Sequence, residues 1–356
     1  MYPIYSFEHI MQPVWNTETV WFEGLTMVEE NGTVSAPLLY EAEEIIAVQS
    51  ADLTQMYEAG VDYEYRDGRL WLTPGSRIFY FRHEEMFLEE EVPGWCFPME
   101  KGYLLFHEGH FFHDRQLAVT YRCKKCDWPG KIPAFVGKNL PKTMEKLKAK
   151  QKINLVLYGD SISEGANASG IMGTSPFLPI WGRLVTEQLQ RHYGGQVWFK
   201  NPSLGGMDAI WGANNVEERV CKEEPDLVII AFGANDGIAG QEFYDRIAAI
   251  IAPIREKCPE AEILLVATLV PNPILDSPKA KFYNEQMHQG KELAKFVGEG
   301  IDMVDIHQVQ LALMERKRFV DMTGNNVNHP NDFMVRIYAQ TVSSALIENF
   351  GGTKCR

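Results

Sequence analysis

The sequence predicts an α/β fold, in which helices flank a parallel sheet, preceded by an all-β domain of the sandwich or jelly-roll type. Two observations lead to this prediction. Over about the first 135 residues, short alternating apolar segments are separated by turn signals, which is typical of antiparallel strands. From residue 153 onward, apolar runs alternate with helical stretches, which indicates strands and crossover helices around a parallel sheet.

In the N-terminal part, the expected strands are the segments 44–49, 63–65, 70–72, 77–81 and 117–121. Asp67-Gly68 lies between two of them and is a strong signal for a two-residue hairpin turn. The polar, basic stretch 143–151 is compatible with a helix and separates the β-rich part from the rest. We therefore expect a β domain over 1–140 and an α/β domain over 141–356.

In the C-terminal part, the expected strands are 153–158, 196–200, 227–232, 262–268 and 302–306, and the expected helices are 178–192, 241–256, 279–297 and 332–349. The carboxyl ends of parallel strands meet at one edge of the sheet, where open α/β folds bind their ligands. Loops that follow the first three strands should therefore converge on one rim.

A candidate nucleophile stands on this rim. Gly159-Asp160-Ser161 follows the first strand and presents a serine at its carboxyl end. Because Gly-Asp-Ser also forms ordinary turns and helix caps, this motif alone is weak evidence. Three further segments strengthen the hypothesis: 201–206 (Asn-Pro-Ser-Leu-Gly-Gly), 232–237 (Phe-Gly-Ala-Asn-Asp-Gly) and 326–331 (Asn-Val-Asn-His-Pro-Asn).

These segments supply the other groups that acyl transfer needs. A serine hydroxyl requires a neighbouring base, and His329 is the candidate. The backbone N–H groups of Ser161 and Gly206 and the side-chain amide of Asn235 could hold the oxyanion of a tetrahedral intermediate. Asp160 and Asp236 lie where loops enter helices, so we expect them to cap those helices.

The four segments resemble the four blocks of the SGNH, or GDSL-type, hydrolases, in the same order and over about residues 152–349. The resemblance implies a flavodoxin-like sheet of the SGNH type, with Ser161 as nucleophile, His329 as general base, and Gly206 and Asn235 in the oxyanion hole. Most members have an aspartate three residues before the histidine, and here that position is Asn326.

Three interpretations of Asn326 are open. We favour a Ser-His dyad whose imidazole is oriented by Asn326 or by a backbone carbonyl, as is thought for some carbohydrate esterases that have an added β domain. A carboxylate from elsewhere could replace the aspartate, and the nearest in sequence are Asp321, Asp332 and Asp305. The third interpretation is a protein that only binds its ligand, because an Asp-to-Asn change at this position of a serine protease lowers turnover by roughly ten-thousandfold.

The resemblance, together with the β domain, implies a serine esterase that removes short acyl groups, above all O-acetyl groups, from carbohydrates through an acyl-enzyme on Ser161. No metal or cofactor is expected, and the partner is a small-molecule or oligosaccharide ester. One alternative is a lipase or lysophospholipase, although the sequence shows no distinctive amphipathic lid. The others are a non-catalytic carbohydrate-binding protein and a β domain that assembles a homo-oligomer.

Composition argues against several partners. The formal net charge of −14, from 34 basic and 48 acidic residues, opposes binding to nucleic acid or to an anionic membrane. No apolar run approaches the roughly 20 residues of a membrane helix, and residues 1–12 lack the pattern of a secretory signal. These features predict a cytoplasmic protein. Its six cysteines are scattered, so reduced thiols are expected.

Two clusters resemble metal ligands only superficially. Cys123 and Cys126 have the spacing of half a zinc site, but no second pair completes it. His107, His110 and His113 do not have the i, i+4 spacing of helical zinc sites. The tryptophans could serve as platforms for sugar rings or as ordinary core residues, and they are Trp15, Trp21, Trp71, Trp95, Trp128 and Trp211.

Overall fold

The N-terminal part of the chain is built from antiparallel strands in the computed structural model, which describes residues 5–275 and 288–352. The strands are β1 (Thr19–Thr26), β2 (Glu29–Glu30), β3 (Thr33–Pro37), β4 (Ala42–Ser50), β5 (Met56–Tyr57), β6 (Tyr63–Arg66), β7 (Arg69–Leu72), β8 (Phe87–Leu88), β9 (Cys96–Pro98), β10 (Tyr103–Leu105) and β11 (Gln116–Cys123). They form sheets in the orders β1-β11-β4-β5, β2-β3-β7-β6 and β8-β10-β9. The all-β character of this part is confirmed, whereas its assignment to a sandwich or jelly roll stays a prediction.

The predicted hairpin joins β6 to β7. Asp67 and Gly68 have φ values of +51° and +71°, and positive φ at both central residues is the type I′ geometry that matches strand twist. The predicted strand 77–81 is wrong, since only Phe81 makes a bridge, to Val28. The start of this segment is instead held by the buried carboxylate of Asp62.

A five-stranded parallel sheet forms the centre of the C-terminal part. Its strands are β12 (Ile153–Gly159), β13 (Val197–Lys200), β14 (Leu227–Ala231), β15 (Glu262–Ala267) and β16 (Ile301–Asp305). Their order in the sheet is β13-β12-β14-β15-β16, and all neighbours are parallel. This is the 2-1-3-4-5 order of flavodoxin-like folds, in which ligands bind where the strand order reverses. The predicted fold class is confirmed.

Helices cover the sheet and connect its strands. In the C-terminal part they are Pro141–Lys148, Ser161–Glu164, Ser169–Met172, Trp181–Tyr193, Ala209–Arg219, Gly240–Lys257, Gln289–Leu293, Ile306–Met314 and Asp332–Leu346, and the N-terminal part adds Phe7–Met11 and His83–Met86. Short 3₁₀ helices are His113–Arg115, Cys221–Glu223, Pro273–Leu275, Ala294–Phe296 and Phe319–Asp321. Of the predicted helix 279–297, residues 279–287 lie outside the described residues. Among the helices described, none combines the length and the apolar composition that a membrane crossing requires.

The last helix joins the two parts of the molecule. All residues of Asp332–Leu346 after the first are buried, and the helix contacts Trp181–Tyr193, β1 and β16. One apolar core includes Leu25 and Val119 of the β part together with Tyr338 of this helix. The division of the chain near residue 140 stays a prediction, and the core is continuous across it.

A buried ion pair also crosses this junction. Lys317 Nζ lies 2.6 Å from Glu23 Oε1 on β1, and neither side chain is exposed to solvent. Glu23 further accepts hydrogen bonds from Tyr121 Oη at 2.7 Å and from the backbone N–H of Leu39 at 2.9 Å. Because a buried charge is costly without partners, this network fixes β1 against the loop that carries Lys317.

Candidate active site

Ser161 is the first residue of the short helix Ser161–Glu164, directly after β12. The turn is tight, because a Cβ at Gly159 would stand 2.5 Å from a backbone oxygen of β14. Asp160 caps the helix, and its Oδ1 accepts a hydrogen bond from the N–H of Ile162 at 3.0 Å. The backbone N–H of Ser161 lies in the first turn of the helix and therefore has no partner within the helix.

His329 lies beside the serine. Its Nε2 is 2.9 Å from Ser161 Oγ, although 168 residues separate the two in sequence. Asn325 organises the loop that carries the histidine, because its Oδ1 accepts hydrogen bonds from the backbone N–H groups of residues 327–329, each at 3.0 Å. When Nδ1 carries the ring hydrogen, Nε2 can accept the serine proton. The structure thus brings the predicted nucleophile and base together.

Gly206 lies on the loop after β13. Its φ of +77° is one that glycine adopts without strain. The adjacent Gly205 packs against the serine, since a Cβ there would be 3.6 Å from Ser161 Cβ. Its N–H donates to Glu164 Oε2 at 2.8 Å, which ties this loop to the helix that begins at the serine. The predicted donor loop is therefore placed next to Ser161.

Asn235 lies on the loop after β14. Its Nδ2 donates a hydrogen bond to the carbonyl oxygen of Met207 at 3.0 Å, and a primary amide has a second N–H to offer. The neighbouring Asp236 accepts from the N–H of Ala209 at 3.1 Å and from Arg246 at 3.2 Å. Burial raises the pKa of Asp236. Its contacts support the helix that begins at Ala209, so Asp236 has a structural role.

Asp160 is fully buried beneath the serine. Burial raises the pKa of its carboxyl to about 7, although backbone hydrogen bonds from Ile162 and Ala234 favour the charged form. Its Oδ1 is used for the helix cap, and its Oδ2 lies 3.4 Å from the N–H of Ala234. Asp160 therefore links the turn after β12 to the turn after β14.

The second ring nitrogen of His329 faces two oxygen atoms. Nδ1 lies 3.0 Å from Glu108 Oε2 and 2.9 Å from Asn167 Oδ1. Asn167 directs its oxygen toward the ring, because its Nδ2 donates to the carbonyl oxygens of Gly109 and Gly324. The other carboxylate oxygen of Glu108, Oε1, accepts from Asn325 Nδ2 at 3.0 Å.

The environment favours the ionised form of Glu108. Burial opposes its charge, but the hydrogen bond and charge interaction with His329 and the hydrogen bond from Asn325 outweigh this and lower the pKa of the carboxyl below its usual value. About half of the side chain, 47%, is exposed to solvent. The carboxylate is consequently charged at neutral pH.

The prediction that Asn326 orients the histidine is wrong. Asn326 has a φ of +68°, and its side chain is turned toward the β part, where Nδ2 donates to the carbonyl oxygen of Leu105 at 2.9 Å. Its Oδ1 faces Asn272 Nδ2 at 3.4 Å. Asn326 is almost fully buried and joins the histidine loop to β10.

The three carboxylates nearest to His329 in sequence also make their hydrogen bonds away from its ring. Asp321 accepts from the N–H of Thr26 on β1, and Asp332 accepts from the N–H of Ser169, each at 2.9 Å. Asp305 caps the helix Ile306–Met314. Glu108 was missed because it lies 221 residues before His329, and no local pattern marks it.

The cysteine and histidine clusters have structural surroundings. Cys123 and Cys126 approach backbone carbonyl oxygens through their Sγ atoms. His113 Nε2 lies 2.7 Å from the carbonyl oxygen of Ser175, and His107 packs on Trp95 with ring centroids 4.1 Å apart. Within the described residues, no three His, Cys, Asp or Glu side chains come together as a metal site would require.

Comparison with known proteins shows the family to which this chain belongs. The family model of the GDSL-like lipase/acylhydrolase family matches residues 157–337, which include the loops of Ser161, Gly206, Asn235 and His329. The chain therefore belongs to this family of carboxylic ester hydrolases. No curated protein sequence matches it.

Several solved structures are similar at low identity. A two-domain esterase active on acetylated mannans, co-crystallised with mannopentaose, has 20% identity and a TM-score of 0.48 over 60% of this chain and 54% of its own. A catalytic mutant of an acetylxylan esterase from Geobacillus stearothermophilus has 16% identity and a TM-score of 0.44, over 55% of this chain and 94% of its own. A lipase from a goat rumen metagenome has 15% identity and a TM-score of 0.42, over 54% of this chain and 97% of its own. The chain thus matches about half the length of the two-domain esterase.

Proposed function

We propose that this protein is a serine esterase in which Ser161 is the nucleophile and His329 the general base. The 2.9 Å contact between Ser161 Oγ and His329 Nε2 is the observation that carries the proposal. It has the geometry of an activated nucleophile, in which the base accepts the hydroxyl proton as the oxygen attacks a carbonyl carbon.

The reaction then runs in two halves. Attack by Ser161 Oγ forms a tetrahedral intermediate whose oxyanion is held by the N–H groups of Ser161 and Gly206 and by the Asn235 amide. Collapse of the intermediate breaks the ester C–O bond, and His329 gives its proton to the leaving alcohol. Water, deprotonated by His329, next attacks the acyl-enzyme and releases the carboxylic acid with the free serine.

Short acyl groups on polar alcohols fit the surroundings of this pair best. The groups placed against Ser161 and His329 are small or polar, namely Gly205, Glu108 and Asn167. A lipase would require a large apolar groove at the serine. An acidic protein also accommodates neutral sugars more easily than anionic lipid surfaces. The substrate class we propose is therefore O-acetylated carbohydrate, as the resemblance to carbohydrate esterases implies.

A 4-nitrophenyl ester series from acetate to octanoate tests this proposal, measured with wild type, Ser161→Ala and Ser76→Ala. Ser76 is a partly buried serine in a turn of the β part and serves as the matched control. We expect turnover that is greatest for acetate, lost in Ser161→Ala and unchanged in Ser76→Ala. Release of acetate from acetylated xylo- or manno-oligosaccharides then identifies the sugar.

Other outcomes would change the assignment. An optimum at octanoate would favour the lipase alternative. Hydrolysis that persists in Ser161→Ala would show that Ser161 is not the nucleophile. Sugar binding without hydrolysis of any ester would favour the non-catalytic alternative.

A further inference from the structure

The loop between β10 and the 3₁₀ helix His113–Arg115 brings a carboxylate from the β part to the histidine of the α/β part. Glu108 Oε2 stands 3.0 Å from His329 Nδ1, on the side of the ring opposite to Ser161. An imidazole that accepts a proton at Nε2 becomes a cation with N–H groups at both nitrogens. A carboxylate at Nδ1 holds the required tautomer before the reaction and stabilises that cation during it.

We propose that Glu108 is the positioning residue of His329 and replaces the aspartate that Asn326 does not provide. This inference rests on the proposed function and deepens it. The catalytic machinery then draws on both parts of the chain, because the β part supplies the carboxylate that orients the histidine. The β part is then required for catalysis.

One side chain holds both partners of this contact. Asn325 accepts from the backbone N–H of His329 through Oδ1 and donates to Glu108 Oε1 through Nδ2, both at 3.0 Å. Both oxygens of the Glu108 carboxylate are therefore occupied by donors, one from the ring and one from the amide. This arrangement fixes the orientation of the carboxylate, which suits a positioning role.

The loop that carries Glu108 is itself secured on both sides. Asn167 Nδ2 donates to the carbonyl oxygen of Gly109 at 2.9 Å, which attaches the loop to the α/β part. On the β side, His107 packs against Trp95 with ring centroids 4.1 Å apart and against Phe111 at 5.0 Å. Glu108 thus lies between two anchored residues.

Asn167 is the rival for the same role, because its Oδ1 is also within 2.9 Å of Nδ1. A neutral amide oxygen can hold the tautomer but brings no charge to the imidazolium. Charge is therefore the property that separates the two, and a change at Glu108 that removes charge while preserving shape is the decisive variant. Asn167 would keep part of the orienting effect in that variant.

Glu108→Gln is this variant, and Glu90→Gln, at an exposed glutamate of the β part, is its matched control. Glutamine cannot accept from both the ring and Asn325, because one of its two terminal groups is a donor. We expect kcat for 4-nitrophenyl acetate to fall by about a hundredfold, less than in a serine protease because Asn167 remains. Glu90→Gln should retain wild-type turnover.

Two further readouts separate positioning from damage to the fold. The acid limb of the kcat/KM profile should move to lower pH in Glu108→Gln, since the cationic form of the base loses its anionic partner. In Glu108→Ala, added formate should restore turnover while chloride should not, because the site is open to solvent. Wild-type turnover and an unmoved acid limb in Glu108→Gln would overturn the proposal in favour of Asn167.

The outcome remains decisive without esterase activity. The C–H signals of the His329 ring, assigned by their loss in His329→Ala, report the midpoint of imidazole protonation in an NMR titration. This is the same protonation that sets the acid limb of the kcat/KM profile. If wild type hydrolyses no ester, the proposed esterase function fails, yet a midpoint that shifts to lower pH in Glu108→Gln still supports the ion pair. An identical midpoint in wild type and Glu108→Gln refutes the role of Glu108 whatever the activity.

Discussion

The amide of Asn235 donates a hydrogen bond to the carbonyl oxygen of Met207, and in the proposed mechanism its second N–H donates to the substrate oxyanion. Removing an oxyanion donor typically lowers turnover by about a hundredfold to a thousandfold. We expect Asn235→Ala to lower kcat by that factor with little change in KM, because the interaction strengthens only in the transition state. Asn235→Asp, which keeps the size but not the donor, should be at least as slow. Steady-state kinetics with 4-nitrophenyl acetate that show a raised KM and an unchanged kcat would contradict this role.

Asp160 provides a test that depends on pH. Burial raises its pKa to about 7 in the folded protein, whereas an unfolded aspartate titrates near pH 4. The folded state therefore binds more protons between these values, and stability falls as pH rises through this window. We expect Asp160→Asn to escape this loss, so that wild type loses on the order of 2–4 kcal/mol relative to the variant between pH 4 and pH 8. Urea denaturation at several pH values measures the difference, and a gap that stays constant would refute the shift.

The residues closest to the chemistry differ in how far the sequence reveals them. Ser161, Gly206 and Asn235 lie in short motifs that follow strands, and His329 lies in a short motif before the last helix, so local patterns locate all four. Glu108 occupies no such motif, and its contact with His329 forms only when the β part packs on the α/β part. Asn326 is the opposite case, because its place in the motif suggests an orienting role, whereas its side chain donates to the carbonyl oxygen of Leu105 instead of facing the histidine.

The loop before the last helix depends on the side chain of Asn325. Asn325→Ala removes the acceptor for three backbone N–H groups and the donor to Glu108. Because buried donors without acceptors cost about 1–3 kcal/mol each when solvent cannot replace the bond, we expect the free energy of unfolding to fall by about 2–4 kcal/mol. Turnover should fall as well, since His329 loses its fixed position.

A matched substitution controls this prediction. Asn214 is exposed on the helix Ala209–Arg219, and alanine is a better helix former than asparagine. Asn214→Ala should therefore leave stability and turnover unchanged or slightly improved. Equal losses in both variants, in urea denaturation and in kinetics, would show that Asn325 has no special role in the loop.

Elements whose apolar residues follow a regular pattern are predicted well from the sequence, and elements whose structure depends on tertiary contacts are not. The three central strands, β12, β14 and β15, are buried on both sides and appear in the sequence as apolar runs, which explains why their positions were found. β1 was missed because a bulge between Val20 and Glu23 interrupts its alternation and Glu23 faces the core. The segment 77–81 alternates like a strand, but its first residue is bound by Asp62 and its last makes only one bridge.

The two parts of the molecule share one core and a buried ion pair, so they should unfold together. Lys317→Met leaves the carboxylate of Glu23 buried without its cation, which costs about 3–5 kcal/mol. Glu23→Gln in the same chain removes the stranded charge and should recover much of that loss. Urea denaturation followed by far-UV circular dichroism and by tryptophan fluorescence should show one coincident transition. Two separate transitions would show that the parts are independent, and no recovery in the double variant would show that the stranded charge is not the cause of the loss.

The central claim is that the whole chain assembles one activated serine, and an organophosphate that phosphorylates such serines tests it most directly. Wild type, Ser161→Ala and His329→Ala are treated with diethyl 4-nitrophenyl phosphate, digested and analysed by mass spectrometry. We expect one diethylphosphoryl group per wild-type chain, on the peptide that contains Ser161, none at that site in Ser161→Ala, and much slower labelling in His329→Ala. An unlabelled wild type, or labelling of a different serine, would contradict the account.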